Sequence, residues 1–254
     1  MSHGAQIDFN YTFSKSLDLG SDAERQCVQC SGSGLGITSF GYIINTFNPR
    51  LNRGVSDFDT KHLISADWVY LLPFGHGRKS LNQRNGLVDA IVGGWQFSGL
   101  MRWTSGLPCS LLAGNGWQTN GSTESALIRT GPVAIHRHLA NGAPEVFADP
   151  NAIIAGLSTG YPLRYPLPGE AGERNNFRGD GFLGIDSALS KEWTLHEKNR
   201  LKFAWEVFNV TNSVRFDINP LTSLQNQTNI GEFGVYGKTL TLPRVQQFSL
   251  RYSF

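Results

Sequence analysis

Residues 244–254 read RVQQFSLRYSF, and the alternation in that stretch decides what kind of sheet the chain builds. In an extended strand successive side chains point to opposite faces. Phe248, Leu250, Tyr252 and Phe254 therefore share one face, while Gln247, Ser249, Arg251 and Ser253 share the other. One face is apolar and the other polar.

The pattern recurs upstream. In AQIDFNYTFSKS, Ile7, Phe9, Tyr11 and Phe13 oppose Asp8, Asn10, Thr12 and Ser14. In LISADWVYLL, Ile64, Ala66, Trp68 and Tyr70 oppose Ser65 and Asp67, with Leu63, Val69 and Leu71 softening the polar side. In GGWQFSGLMRWTSG, Trp95, Phe97, Met101 and Trp103 oppose Gln96, Ser98, Arg102 and Thr104. In FLGIDSALSKEW, Leu183, Ile185, Leu189 and Trp193 oppose Asp186, Ser190 and Glu192, and in RLKFAWEVFNV, Leu201, Phe203, Trp205 and Val207 oppose Lys202 and Glu206. With the terminal stretch this predicts an all-β, antiparallel chain of about six strands of roughly ten residues each.

The predicted links alternate in length. Long ones run over about 17 to 58, 108 to 180 and 213 to 242; shorter ones are built on LPFGHGRKS and on HEKN. Short turns at one end and long loops at the other are the layout of a transmembrane β-barrel with short periplasmic turns and long extracellular loops. Trp95 and Trp193 fall near the short-turn end, where an interfacial aromatic belt is expected. Alternation alone would also suit a soluble, secreted β-sandwich used for binding or adhesion. Strand length beyond the soluble mode of about five or six residues, together with links too long for a compact domain, favours the barrel.

Composition excludes other classes. A formal charge of +2 with no Lys/Arg run lacks the basic stripe of a nucleic-acid binder. No stretch approaches the roughly 18 apolar residues of a membrane-spanning helix, and no signal peptide follows Met1, which leaves a cytosolic protein or the downstream part of an exported one. Cys27 and Cys30 in CVQC stand without a second pair, so a local disulfide, or no bond, is expected there rather than zinc.

Five segments occur together in order: SDFDTKHLISADWVYLLPFGHGRK (56–79), GGWQFSGLMRWTSGLP (93–108), RNNFRGDGFLGIDSALSKEW (174–193), LKFAWEVFNVTN (201–212) and FGVYGKTLTLPRVQQFSLRYSF (233–254). As a set they resemble the C-terminal barrel portion of TonB-dependent outer-membrane receptors of the Oar-like group, which carry a carboxypeptidase-regulatory-like domain. The resemblance implies a bacterial outer-membrane location, contact with lipid, and, in an intact receptor, a plug, a TonB complex and import of a scarce ligand. It also implies that Phe248, Leu250, Tyr252 and Phe254 form the terminal signal that the barrel-assembly machinery reads. Such receptors close with roughly 22 strands around a plugged lumen, so residues 1–254 are expected to be a partial barrel domain, its plug and N-terminal domains absent.

On this reading Asp8, Asn10, Gln96, Arg102, Asp186, Glu192, Lys202, Glu206, Gln247 and Arg251 face the lumen, and Glu192 and Lys202 pair across the tight turn. Trp117, Tyr161, Arg164 and Tyr165 are the loop residues suited to stacking on or binding a ligand. A carbohydrate-active β enzyme would need two converging carboxylates. Asp57 and Asp59, an i, i+2 pair beside His62, are expected to be structural instead. His136 and His138 lack a visible third ligand, SGSGLG at 31–36 is not followed by a helix, and no GxSxG elbow is present. No catalytic centre, metal or bound cofactor is expected.

Overall fold

The computed structural model describes residues 4–20, 45, 47–75, 86–111, 113, 126–133, 138–140, 143–170, 172–175, 177–196, 199–217, 234–236 and 239–254. Six long strands form one antiparallel sheet in chain order: β1 (Ala5–Phe13), β2 (His62–Leu71), β3 (Trp95–Thr104), β4 (Phe182–His196), β5 (Asn199–Phe208) and β6 (Val245–Ser253). These are the strands that the alternation predicts, although β4 reaches 15 residues. The short links, between β2 and β3 and between β4 and β5, lie at one end of the sheet, and the three long ones lie at the other.

Register turns the separate alternations into two continuous surfaces. Ala5, Tyr70, Phe97, Leu189, Trp205 and Phe248 are successive cross-strand partners, one apolar row through all six strands. The next row, Gln6, Val69, Ser98, Ala188, Glu206 and Gln247, lies on the opposite face. Because the side-chain period is two, a slip of one residue at any pairing would exchange the faces of everything beyond it.

Away from the β2–β3 link, the apolar face has no cover among the described residues. Ile7 is 72% exposed, Phe9 63% and Leu250 67%, and no second sheet stacks on them. A sandwich would bury this face. Trp68 is accommodated on it by its cross-strand neighbour Gly99. A Cβ built on Gly99 would stand 2.2 Å from the Trp68 ring and 2.7 Å from the Asp186 carbonyl oxygen, so the indole lies across a strand position that only glycine leaves open.

The hairpin end corrects one expectation. Glu192 and Lys202 are opposite in register, but the ion pair is diagonal, between Glu192 and Arg200 at 3.3 Å. The longer guanidinium spans the diagonal. Both partners are well exposed, so the pair contributes little.

A compact unit sits beyond the long-link end. Cys109, Leu111, Leu127, Val146, Phe147, Leu163, Phe177 and Tyr236 form a closed hydrophobic core, with helix α2 (Pro150–Thr159) against it through Ile153, Ile154 and Leu157. Helix α1 (Gly86–Val92) lies in the β2–β3 link at the other end. The cap residues of α2 are local: the Asp149 side chain accepts from the Ala152 amide, Pro150 opens the first turn, and Gly160 takes the left-handed conformation at φ 73°.

Replacing Gly99 with Val should force Trp68 off its seat and cost about 1–3 kcal/mol of unfolding free energy. Urea titration of the micelle-folded protein, followed by tryptophan emission, reads this; an unchanged midpoint would show that the ring does not depend on the gap.

Candidate functional site

The loop unit is joined to the sheet by a polar network between the β1–β2 and β3–β4 links. Asp59, 2% exposed, accepts from the Ser16 amide at 2.5 Å and forms an ion pair with Arg178. The same guanidinium donates to the carbonyls of Asp59 at 3.0 Å and Gly106 at 3.1 Å. Asn175 donates to the Val55 carbonyl at 2.7 Å and to the Asp57 carboxylate at 2.5 Å, and its amide donates to the Ser110 hydroxyl at 2.9 Å. Arg174 forms an ion pair with Asp18. Asp57 and Asp59 are thus each spent on holding one loop to another.

The loop unit also carries an open groove of about 630 Å³ lined by Arg129, Thr130, Gly131, Pro132 and Val133. The amides of Thr130 and Gly131 both donate to the Pro162 carbonyl, at 2.9 and 3.0 Å, which brings residues 161–164 alongside. Tyr161 crosses the backbone at Gly131 and stays 57% exposed, so it borders the groove as an accessible ring. Arg129 places its guanidinium 5.5 Å from the Phe177 ring centroid, a cation–π contact that fixes the groove wall to the loop core.

Arg164 and Tyr165, also singled out from the sequence, are already engaged. Arg164 makes a two-pronged pair with Glu170, at 2.7 and 2.9 Å, and the Leu167 amide donates to the same carboxylate at 2.8 Å. The Arg164 hydrogen bonds, then the Leu167 amide, hold the Glu170 carboxyl down at about 2, and Glu170 in turn raises Arg164 above its ordinary value. Tyr165 packs against the loop core. Trp117, Cys27, Cys30, His136 and the SGSGLG stretch lie outside the described residues, as does the side chain of His138.

The ten polar strand residues all lie on the face opposite the apolar one. Asp8, Asp67, Leu100 and Asp186 follow one another in register, an acidic row at mid-height. Asn10 shares a row with Ser65 and Arg102, and Glu192 shares one with Lys202 and Arg251. Gln96 stands between Leu71 and Ser190, and Gln247 donates to Glu206 at 3.1 Å. Asp186 also accepts from the Asn209 amide at 2.8 Å, tying the exit of β5 to β4. Phe248, Leu250, Tyr252 and Phe254 line the outer side of the edge strand, each more than half exposed.

Two features escaped the sequence reading. The DPNAIIAGLSTG stretch carries a cap, a first-turn proline and a closing glycine, which together signal α2. Lys191 sits in register between Trp95 and Phe203, on the apolar face, where the alternation calls for a hydrophobe.

Among the described residues no helix is long and apolar enough to cross a membrane, and none of their His, Cys, Asp and Glu side chains group as a metal site would require. The sheet presents a continuous apolar surface on one side, a polar one on the other, short turns at one end and folded loops at the other. That is the wall of a membrane-spanning β-barrel. The sequence matches the outer membrane beta barrel domain family over residues 1–247, and the chain belongs to that family, which places it in the bacterial outer membrane with its apolar face in lipid. No curated protein and no solved structure matches it.

Arg178→Ala should leave the Asp59 carboxylate buried without its countercharge, at about 3–5 kcal/mol to the loop junction. Hydrogen exchange at the Ser16 amide should accelerate, with partial recovery in Arg178→Lys; unchanged protection in the alanine variant would remove Arg178 from the junction. Glu170 has its carboxyl depressed from 4.5 to about 2. Its stabilising effect is therefore complete above pH 4.5 and lost as pH falls towards 2. A carboxyl-carbon NMR titration should show Glu170 charged well below the other glutamates, and Arg164→Gln should return it to the ordinary range.

Proposed function

We propose that these six strands are the C-terminal part of a larger barrel, that of a TonB-dependent outer-membrane receptor importing a scarce ligand with energy delivered through the TonB complex. The observation that carries the proposal is the open sheet. β1 and β6 each have one neighbour among the described residues, and an unpaired edge in hydrocarbon leaves backbone groups unsatisfied at several kcal/mol each. Further strands must close it. The ordered set of segments that resembles the receptor barrels, the polar face that would line a plugged lumen, and the folded outer loops support the receptor reading.

In this reading Phe248, Leu250, Tyr252 and Phe254 serve barrel assembly. The ten polar-face residues meet a plug or line the substrate path. Tyr161 and the groove beside it are the first place to look for ligand contact, Asp57 and Asp59 are structural, and the chain has no catalytic role.

An antibody raised against the β5–β6 region tests this on outer membranes of the source bacterium. The receptor reading expects a heat-modifiable polypeptide far above 28.0 kDa, retained by the immobilised periplasmic domain of TonB. A species of 28.0 kDa, or a large one with no retention, would overturn it.

A further inference from the structure

A lysine on the lipid-facing side of a barrel is unfavourable, so the surroundings of Lys191 need an account. Its ammonium lies 5.9 Å from the Trp95 ring centroid and 5.3 Å from that of Trp193, and the residue is 4% exposed. It donates to the Asp89 carbonyl at 3.1 Å and to the Gly93 carbonyl. The Trp193 indole donates to the Ala90 carbonyl at 2.6 Å and the Trp95 indole to the Ile91 carbonyl at 2.8 Å.

All four acceptors belong to the last turn and exit of α1: the Asp89 carbonyl also accepts from the Gly93 amide at 2.8 Å, whereas those of Ala90, Ile91 and Gly93 lie where a helix runs out of its own donors. Three side chains from the apolar face of β3 and β4 therefore hold the C-terminal end of α1 onto that face. The cation also meets the negative end of the helix dipole.

The helix shows its other side outward. Leu87 is 81% exposed, Val88 40% and Ile91 68%, while no Lys or Arg occurs in Gly86–Val92. This apolar strip continues the lipid-facing surface of the sheet at the short-turn, periplasmic end, beside the tryptophan belt.

We propose that α1 is an interfacial anchor: it lies in the periplasmic lipid boundary with Leu87, Val88 and Ile91 against phospholipid acyl chains, and Lys191 with Trp95 and Trp193 is the tether that holds it to the barrel. The occupant is the acyl region of the inner-leaflet phospholipid, because the outward strip is Leu87, Val88 and Ile91 and Lys191, the cation described at the site, is committed to helix carbonyls. Engagement through that apolar strip does not depend on salt.

Leu87→Cys, in a full chain with Cys27 and Cys30 replaced by serine, carries an environment-sensitive fluorophore in isolated outer membranes; Cys109 is buried and unreactive. The expected result is loss of emission with nitroxide lipids labelled near the carbonyl end, little loss with those labelled near the chain terminus, and none with aqueous iodide, at low and high salt alike. Quenching by iodide would place α1 in periplasmic water and overturn the anchor, as would protection from every quencher, which would mean a protein cover. Lys191→Met keeps the side chain's length without its charge. In that variant, still heat-modifiable as a barrel, the label should become accessible to iodide; unchanged shallow quenching would overturn the tether. Neither arm depends on TonB, so the receptor reading can fail while this one stands.

Discussion

In hydrocarbon no water is available to pair a backbone N–H or C=O, so every such group must be satisfied within the protein. That requirement governs the whole arrangement. It selects hydrogen-bonded strands, it makes the sheet a meander in which each strand pairs with the one before it, and it leaves β1 and β6 with one neighbour each among the described residues. It also accounts for the hold on α1, whose Ala90 and Ile91 carbonyls lie past the helix's own donors. Trp95, Trp193 and Lys191 supply donors there, and a residue type that lipid rejects becomes acceptable because its ammonium is held between two carbonyls and two indole rings.

With the backbone satisfied, side chains divide by solvent in a way opposite to a soluble protein. Almost all of the buried apolar residues lie in the loop unit, around Leu111, Leu127, Phe147 and Leu163, and the sheet contributes only Ala204. Phe9, Phe248 and Leu250 remain outward because lipid, not protein, is what they contact. The loop unit folds by ordinary burial, and the Asp59–Arg178 and Asn175–Asp57 contacts then set it on the barrel wall. A surface groove bordered by Tyr161 is held on that rigid base and not on a free loop.

The legibility of the sequence followed the range of the interactions. Strand alternation has a period of two residues, so Phe248 to Phe254 declare their face without reference to anything distant. The NVTN turn is similarly local: Asn209 and Asn212 take positive φ, at 51° and 48°, conformations asparagine tolerates, and Asn209 accepts from the Ser213 amide at 3.0 Å. Arg164 was visible as a polar aromatic-flanked residue, yet its partner Glu170 had to be seen to know that its charge is taken.

What the sequence alone determined is the two-faced, six-stranded antiparallel wall and the end that carries the long loops, since both follow from short-range periodicity and link length, while membership of the outer-membrane barrel family rests on the match over residues 1–247. The tertiary structure decided the rest. Asp59 meets Arg178 across 119 positions and Lys191 meets Asp89 across 102, and no local pattern announces pairings of that span. The same alternation that marks Lys191 as an intruder on the lipid face cannot show what neutralises it, because its partners are the carbonyls of a helix that only folding brings alongside.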